Sequence, residues 1–231
     1  MLKYRSAKKE LLDGDNIPKE YLYQNLKELN TINTLLGGYK ITFAALKKIT
    51  EPDKTYSLID IGCGGGDTLK QINAWSKQNK RTFNLHGIDI KPVCIEYAKT
   101  NTANESIRYI CDDYRNAFYH LKQVDIIHAC LFCHHLSENE LIELVQFAVK
   151  NKSVLVINDL ERNPIAYYAI KTLTTFFSKS YLVKNDAALS VARGFKKREW
   201  LDILAKAGVK KYSVKNKWAF RHEVIVYGNQ S

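Results

Sequence analysis

No apolar run in the 231 residues approaches the ~20 needed to cross a bilayer. The opening stretch, MLKYRSAKKELLDGD, contains no apolar signal segment. The expectation is a soluble, cytoplasmic protein. Cysteine is sparse and odd in number, at Cys63, Cys94, Cys111, Cys130 and Cys133, with irregular spacing that argues against a disulfide framework. Cys130 and Cys133 make a CxxC, but no second pair accompanies it. Buried thiols within a strand are the reading, rather than a metal or redox centre. Acid is the scarcer charge: 24 Asp and Glu stand against 35 Lys and Arg, a net charge of +11. The imbalance peaks between Arg193 and Arg221, where ten basic residues face only Glu199 and Asp202. Such a stretch can attract nucleic acid or an acidic substrate. A basic solvated face is the plainer reading. Internal repeats and low-complexity linkers are also missing.

What is present is an alternation. PKEYLYQNLKELNTINTLL, residues 18–36, carries Leu22, Leu26, Leu29 and Leu36 on one helical face and stops at Gly37-Gly38. A second helix is expected over about 40–49. From Tyr56 onward, short apolar runs (YSLIDIG, FNLHGIDI, IRYICDD, VDIIHACLF, SVLVINDL) alternate with amphipathic stretches. Ser137 and Glu140 form a capping box ahead of one of these helices. Strands alternating with helices predict an α/β, doubly wound, mostly parallel sheet. Residues 164–181 read as an inserted aromatic helix, and KKREWLDILAKAG as another helix. The tail reads as two strands in hairpin order.

The glycine cluster sits at the first strand–helix junction, in LIDIGCGGGDTLK, residues 58–70. Ligands bind at the carboxyl ends of strands in such sheets. Gly62 and Gly64 fit a dinucleotide fingerprint, but Asp67 stands at the third glycine position. No Gly-Lys-Ser/Thr follows, so a P-loop is excluded. Asp60 and Asp67 bracket the loop and would repel a pyrophosphate. The cofactor should therefore lack phosphate and carry positive charge. S-adenosylmethionine has a sulfonium, an ammonium and only one carboxylate. Asp60 can face the ammonium, directly or through water, and the loop N–H groups, those of Cys63 and Gly64 among them, can meet the carboxylate. Asp89, ending the second strand before Ile90, is placed to accept from both ribose hydroxyls. The third strand ends in CDDYR, where an aspartate can accept from the adenine amine.

Over about residues 56–160 the chain resembles the class I S-adenosylmethionine-dependent methyltransferases. DIGCGGGD is similar to their first motif, Asp89 to their ribose-binding acid, and Asp113-Tyr114 to their adenine-contacting pair. The resemblance implies a seven-stranded Rossmann-like sheet with an antiparallel final strand, and a helical lid. The lid would be made from residues 1–54 and an insertion over about 162–196, within a methyltransferase domain spanning 55–231. The flanks NTINTLLGG, FCHHL, NDLERNP and LSVARGF resemble bacterial small-molecule methyltransferases of the quinone-biosynthesis type, often associated with phenolic or polyketide products.

An acceptor must approach the methyl in line, beyond the fourth and fifth strands. Cys130 and Leu131 would offer backbone contacts to the cofactor. His134 and His135 follow, and a histidine suits proton removal from a phenol, His135 being favoured. Asn33, Arg162, Tyr167 and Arg193 are candidate acceptor contacts. Tyr168, Phe176, Phe177 and Tyr181 would add aromatic walls. The expected activity is O-methylation of a hydroxylated aromatic or polyketide-like small molecule. C-methylation of a quinol-like ring, RNA methylation, and a non-catalytic S-adenosylmethionine-binding module are the alternatives. The fourth strand is not followed by the Asn/Asp-Pro-Pro-Phe/Tyr of base amine methylation, nor is either cysteine of the CxxC preceded by proline. Nucleic acid is therefore the weaker acceptor. No metal is expected, since Asn158 and Asp159 are the only adjacent candidates for a metal-dependent catechol site.

Overall fold

A computed structural model describes residues 2–14, 17–102 and 106–229. Seven strands form one sheet: β1 (Thr55–Ile61), β2 (Thr82–Asp89), β3 (Ile107–Cys111), β4 (Ile126–Cys130), β5 (Val154–Leu160), β6 (Tyr212–Lys217) and β7 (Arg221–Val226). Their order is β3-β2-β1-β4-β5-β7-β6. β1 to β5 pair in parallel, and β7 runs antiparallel to β5 and to β6. The chain moves outward from β1 to β3, then returns to the other side of β1 at β4. That reversal opens the crevice beyond β1 and β4 in which doubly wound sheets bind ligands.

Helices α3 (Asp67–Gln78) and α4 (Pro92–Thr102) follow β1 and β2, the short α5 (Ala117–His120) follows β3, and α6 (Glu138–Lys150) follows β4. Ser137 caps α6 through the expected reciprocal box with Glu140. On one face of the sheet Ile59, Ile61, Ile127 and Leu155 pack with Leu141, Leu144 and Trp200. On the other, Leu58, Leu85, Ile126 and Val156 pack with Leu46, Leu69 and Ile72. Apolar burial on both faces explains why the parallel strands are continuous apolar runs.

α1 (Lys19–Leu35) and α2 (Gly38–Ile49) precede the sheet. The expected single insertion helix is two, α7 (Pro164–Phe177) and α8 (Tyr181–Arg193). The break is held from outside: Glu28 of α1 accepts the backbone N–H groups of Lys179 and Ser180 at 3.0 and 3.1 Å. Ser180 then caps α8 at Val183. α9 (Lys197–Lys206) leads to the β6–β7 hairpin.

The basic stretch is only partly solvated. Arg193 and Arg221 are buried, and Lys217 and Lys48 both pair with the buried Glu223. No helix among the described residues is long and apolar enough to cross a membrane.

Candidate active site

The glycine loop is shaped by backbone that only glycine adopts without strain. Gly62, Gly64 and Gly66 have φ of +64°, +50° and +74°. A Cβ on Gly62 would lie 2.1 Å from Phe132 Cδ2. The loop can therefore carry no side chain where Phe132, beyond β4, covers it.

A cleft of about 380 Å³ lies over this loop. Gly62, Cys63, Gly64, Asp67, Asp89, Ile90, Asp113, Tyr114, Cys130 and Leu131 all line it, as does Asn33 from α1. Asp89 accepts the N–H of Gly64 through one oxygen and that of Lys91 through the other, each at 2.9 Å. The remaining lone pairs of both oxygens are left for a diol. Burial raises the Asp89 carboxyl above its ordinary pKa. Asp113 caps its own turn at Arg115 and pairs with that guanidinium, which outweighs partial burial and holds its pKa low. Its neighbour Asp112 is engaged by His120 at 2.7 Å. Tyr114 stacks edge-on against Phe132.

Asp60 departs from expectation, because it is not among the cleft-lining residues. β1 pairs with β4 so that Asp60 lies opposite His128. His128 Nδ1 meets Asp60 at 2.6 Å, and its Nε2 meets Thr42 Oγ1 at 3.1 Å. Thr42 in turn accepts from Asn158, whose oxygen faces Arg221. This buried chain fixes β1, β4 and β5 to α2 beneath the crevice. Asn158 belongs to that scaffold rather than to the rim.

A second cavity, of about 590 Å³, adjoins the cleft. The two share Leu12, Leu29, Leu131 and His135. Its walls come from α1, α7, α8 and the β6–β7 turn. They are mostly small or aliphatic: Ala166, Ala169, Ile170, Ala187 and Val191 among them, with Trp218 at the turn. Tyr167, Tyr168, Phe176, Phe177 and Tyr181 are not in the lining. Tyr167 instead packs edge-on against Tyr168, while Tyr168, Phe176, Phe177 and Tyr181 face outward. Asn25 does line the cavity, and its buried amide nitrogen has no partner.

His134 and His135 occupy one 3-10 turn (Cys133–His135), with ring centroids 4.3 Å apart. The extended backbone that would send them to opposite faces is absent. His134 Nδ1 and its backbone N–H are both held by Asp159, at 2.7 and 2.9 Å. Asp159 is fully buried, but the imidazole and amide donors keep its pKa below the ordinary value. His135 Nδ1 lies 3.0 Å from Asp13. Burial opposes ionisation of Asp13 too, yet His135 and Arg193 hold its pKa well down. Both Nε2 atoms turn toward Glu10, at 3.6 and 3.9 Å. Burial lifts the Glu10 carboxyl to about 7.

Glu10 and Asp13 come from the N-terminal strap, residues 2–14, within the segment expected to serve as part of a lid. Asp186 of α8 pins it by accepting the N–H groups of Leu11 and Leu12, both at 2.9 Å. Arg193 does not line the cavity. Its guanidinium donates to the carbonyls of His134 and His135 and to Asp13, so it positions the histidine turn. Arg162 is likewise committed, to Glu199 at 2.6 Å and to the Gly194 carbonyl at 2.7 Å. Glu10, His134 and His135 are also the one group of metal-ligand type among the described residues, with donor atoms within 4.8 Å of one another.

Residues 58–150, from β1 through α6, match the family model described as a methyltransferase domain. No curated protein compared with the chain matches it. Among solved structures, a plantazolicin methyltransferase (BpumL), in complex with a monoazolic desmethyl analogue and S-adenosylhomocysteine, is 21% identical. That match covers 90% of this chain and 88% of the other, with a TM-score of 0.61. Human N-acetylserotonin methyltransferase in complex with S-adenosylmethionine is 15% identical, over 91% of this chain and 56% of that one, at a TM-score of 0.63. The CMeT domain of the citrinin polyketide synthase is 10% identical, over 82% and 51%, at 0.57. The matched segment holds the glycine loop and the acids that end the next two strands, so residues 58–150 are similar to a methyltransferase domain and the whole sheet shares the fold of these methyltransferase structures.

Proposed function

We propose that the protein methylates a hydroxyl of a small, largely apolar aromatic or polyketide-like acceptor. The observation that carries this reading is the junction of the two cavities at His135. S-adenosylmethionine would lie in the smaller cleft, with its ribose on Asp89, its adenine beside Ile90, Asp113 and Tyr114, and its methionine end on the glycine loop. The acceptor would lie in the larger cavity, beneath a lid formed by α1, α7 and α8. With Nδ1–H committed to Asp13, the lone pair on Nε2 of His135 is free for the acceptor. Deprotonation of the hydroxyl by His135 would accompany its attack on the methyl carbon. The C–S bond breaks, and the sulfonium leaves as a thioether. The Asp13–His135 pair orients the base as carboxylate–imidazole pairs do elsewhere. The unpaired Asn25 amide would donate to a second acceptor oxygen. C-methylation of a quinol-like ring would use the same base and cavity. Incubation with phenols, quinols and total RNA, followed by mass analysis, tests the reading. A methyl ether on a phenol is the expected product; methylated RNA with no phenolic product would overturn it.

The cofactor assignment has its own test. Asp89→Ala removes the diol acceptor and releases the Gly64 N–H. S-adenosylmethionine affinity should fall by about 1.5–3 kcal/mol, the scale of charge-assisted hydrogen bonds. Calorimetry that found NAD bound more tightly than S-adenosylmethionine would sink the assignment.

No step of this transfer calls for a Lewis acid. Turnover should persist in EDTA, in spite of the Glu10–His134–His135 grouping. Loss of turnover on chelation, with recovery on adding a divalent ion, would show that grouping to be a working metal site.

A further inference from the structure

The mouth of the acceptor cavity opens onto a surface unlike the rest of the molecule. Trp218, at the β6–β7 turn, lines the cavity and is nonetheless 80% exposed. Ala219 and Phe220 behind it have φ of +57° and +54°, so the turn is a fixed one that holds the indole outward. Beside it, the outer side of α7 forms an apolar groove. Ala169 and Leu173 line both this groove and the cavity, so apolar surface is continuous from outside to inside. Ile165, Tyr168, Phe176 and Phe177 extend it along the helix, the two phenylalanines 76% and 79% exposed. Leu35, next to the cavity-lining Leu36, is 79% exposed on the α1 side. Soluble monomers rarely leave so large a contiguous apolar patch in water.

The exposed charge along this patch is mostly basic, with Glu28 at the α7–α8 break the acid beside it. α7 and the β6–β7 turn, residues 164–177 and 217–220, contain no aspartate or glutamate. Lys40, Lys171, Lys179, Lys184 and Lys215 are exposed. A second copy of the same face would bring like charges together, which disfavours self-association. Protruding aliphatic and aromatic tips ringed by lysines match an anionic bilayer surface. The tips enter the acyl boundary while the ammonium groups stay with the headgroups.

We propose that the face formed by the outer side of α7 and the Trp218 turn docks on anionic membrane surfaces, with the mouth of the acceptor cavity held against the lipid. Resting on the reading above, the substrate class narrows to acceptors that dissolve in the bilayer and enter the cavity without crossing water. Docking itself requires no acceptor, so its test stands apart from the test of methylation.

The protein is mixed with vesicles of phosphatidylcholine, alone or with phosphatidylglycerol, and sedimented with S-adenosylmethionine present. Binding should be roughly tenfold or more tighter to the anionic vesicles, the scale of a few lysines near the surface, and weaker at high salt. The double variant Phe176→Ser/Phe177→Ser should lose vesicle binding while keeping S-adenosylmethionine affinity and turnover on a water-soluble phenol. Lys171→Glu should weaken binding without altering the fold. Absence of vesicle binding, or equal binding by wild type and the phenylalanine variant, would overturn the proposal. So would tighter binding to RNA than to anionic vesicles. Dimerisation that the phenylalanine variant abolishes, with no vesicle binding, would assign the face to a second copy instead.

Discussion

His135→Ala should lower turnover roughly 10²–10⁴-fold, the range over which a positioned general base contributes. S-adenosylmethionine affinity should stay unchanged, because the proposed cofactor contacts, Asp89, Asp113 and the glycine loop, do not include this ring. The loss should shrink for phenols acidic enough to ionise unaided. His134→Ala should behave differently. His134 is 3% exposed, and it donates both its ring and its backbone to a fully buried Asp159. Removing the ring strands that carboxylate, a change on the order of 3 kcal/mol or more in stability. The His134 variant should therefore show a lowered melting temperature, and the His135 variant a lowered turnover at near-normal melting temperature. Full turnover by both variants on the true acceptor would show that proximity and desolvation suffice, and the base assignment would be lost.

The contrast between the two histidines shows what the sequence could carry. The two are adjacent in the sequence, and a 3-10 turn brings both rings to one carboxylate. The sheet was readable because parallel strands buried on both faces must be apolar throughout, and because cleft-lining acids end β2 and follow β3. The break between α7 and α8 was not readable, since Glu28, some 150 residues away, sets it. The aromatic insertion misled for a simple volume reason. A cavity needs small side chains on its walls, so alanines face inward and the bulky rings go outside. Asp60 also looked like a cofactor ligand, yet the β1–β4 register hands it to His128. Asp13 and Glu10 carry no local mark of function. Only the fold of the strap across α8, pinned by Asp186, brings them to the histidines.

Glu10→Gln should stabilise the protein at alkaline pH while impairing it as an enzyme. Burial raises the Glu10 carboxyl from 4.5 to about 7. Below the ordinary glutamate pKa the residue is protonated in both folded and unfolded chains and contributes nothing to the balance. Between that value and about 7 the unfolded chain ionises first, so the folded state loses stability as pH rises. Above about 7 the whole cost is present, about 3 kcal/mol for a shift of this size. Glutamine is neutral at every pH and keeps an oxygen for the Ser190 hydroxyl, which Glu10 accepts at 2.9 Å. The variant should therefore gain most over wild type at pH 8 and little at pH 4. The same neutrality removes the negative charge that both Nε2 atoms face, so the imidazolium formed on proton transfer loses one of its two stabilising carboxylates, Asp13 remaining. Turnover should fall even as the melting temperature rises. Thermal unfolding of both proteins across that pH range, alongside turnover, decides the matter. Equal stability at pH 8 would mean that the carboxylate is fully compensated by the histidines and Arg193, and that the strap is not under electrostatic load.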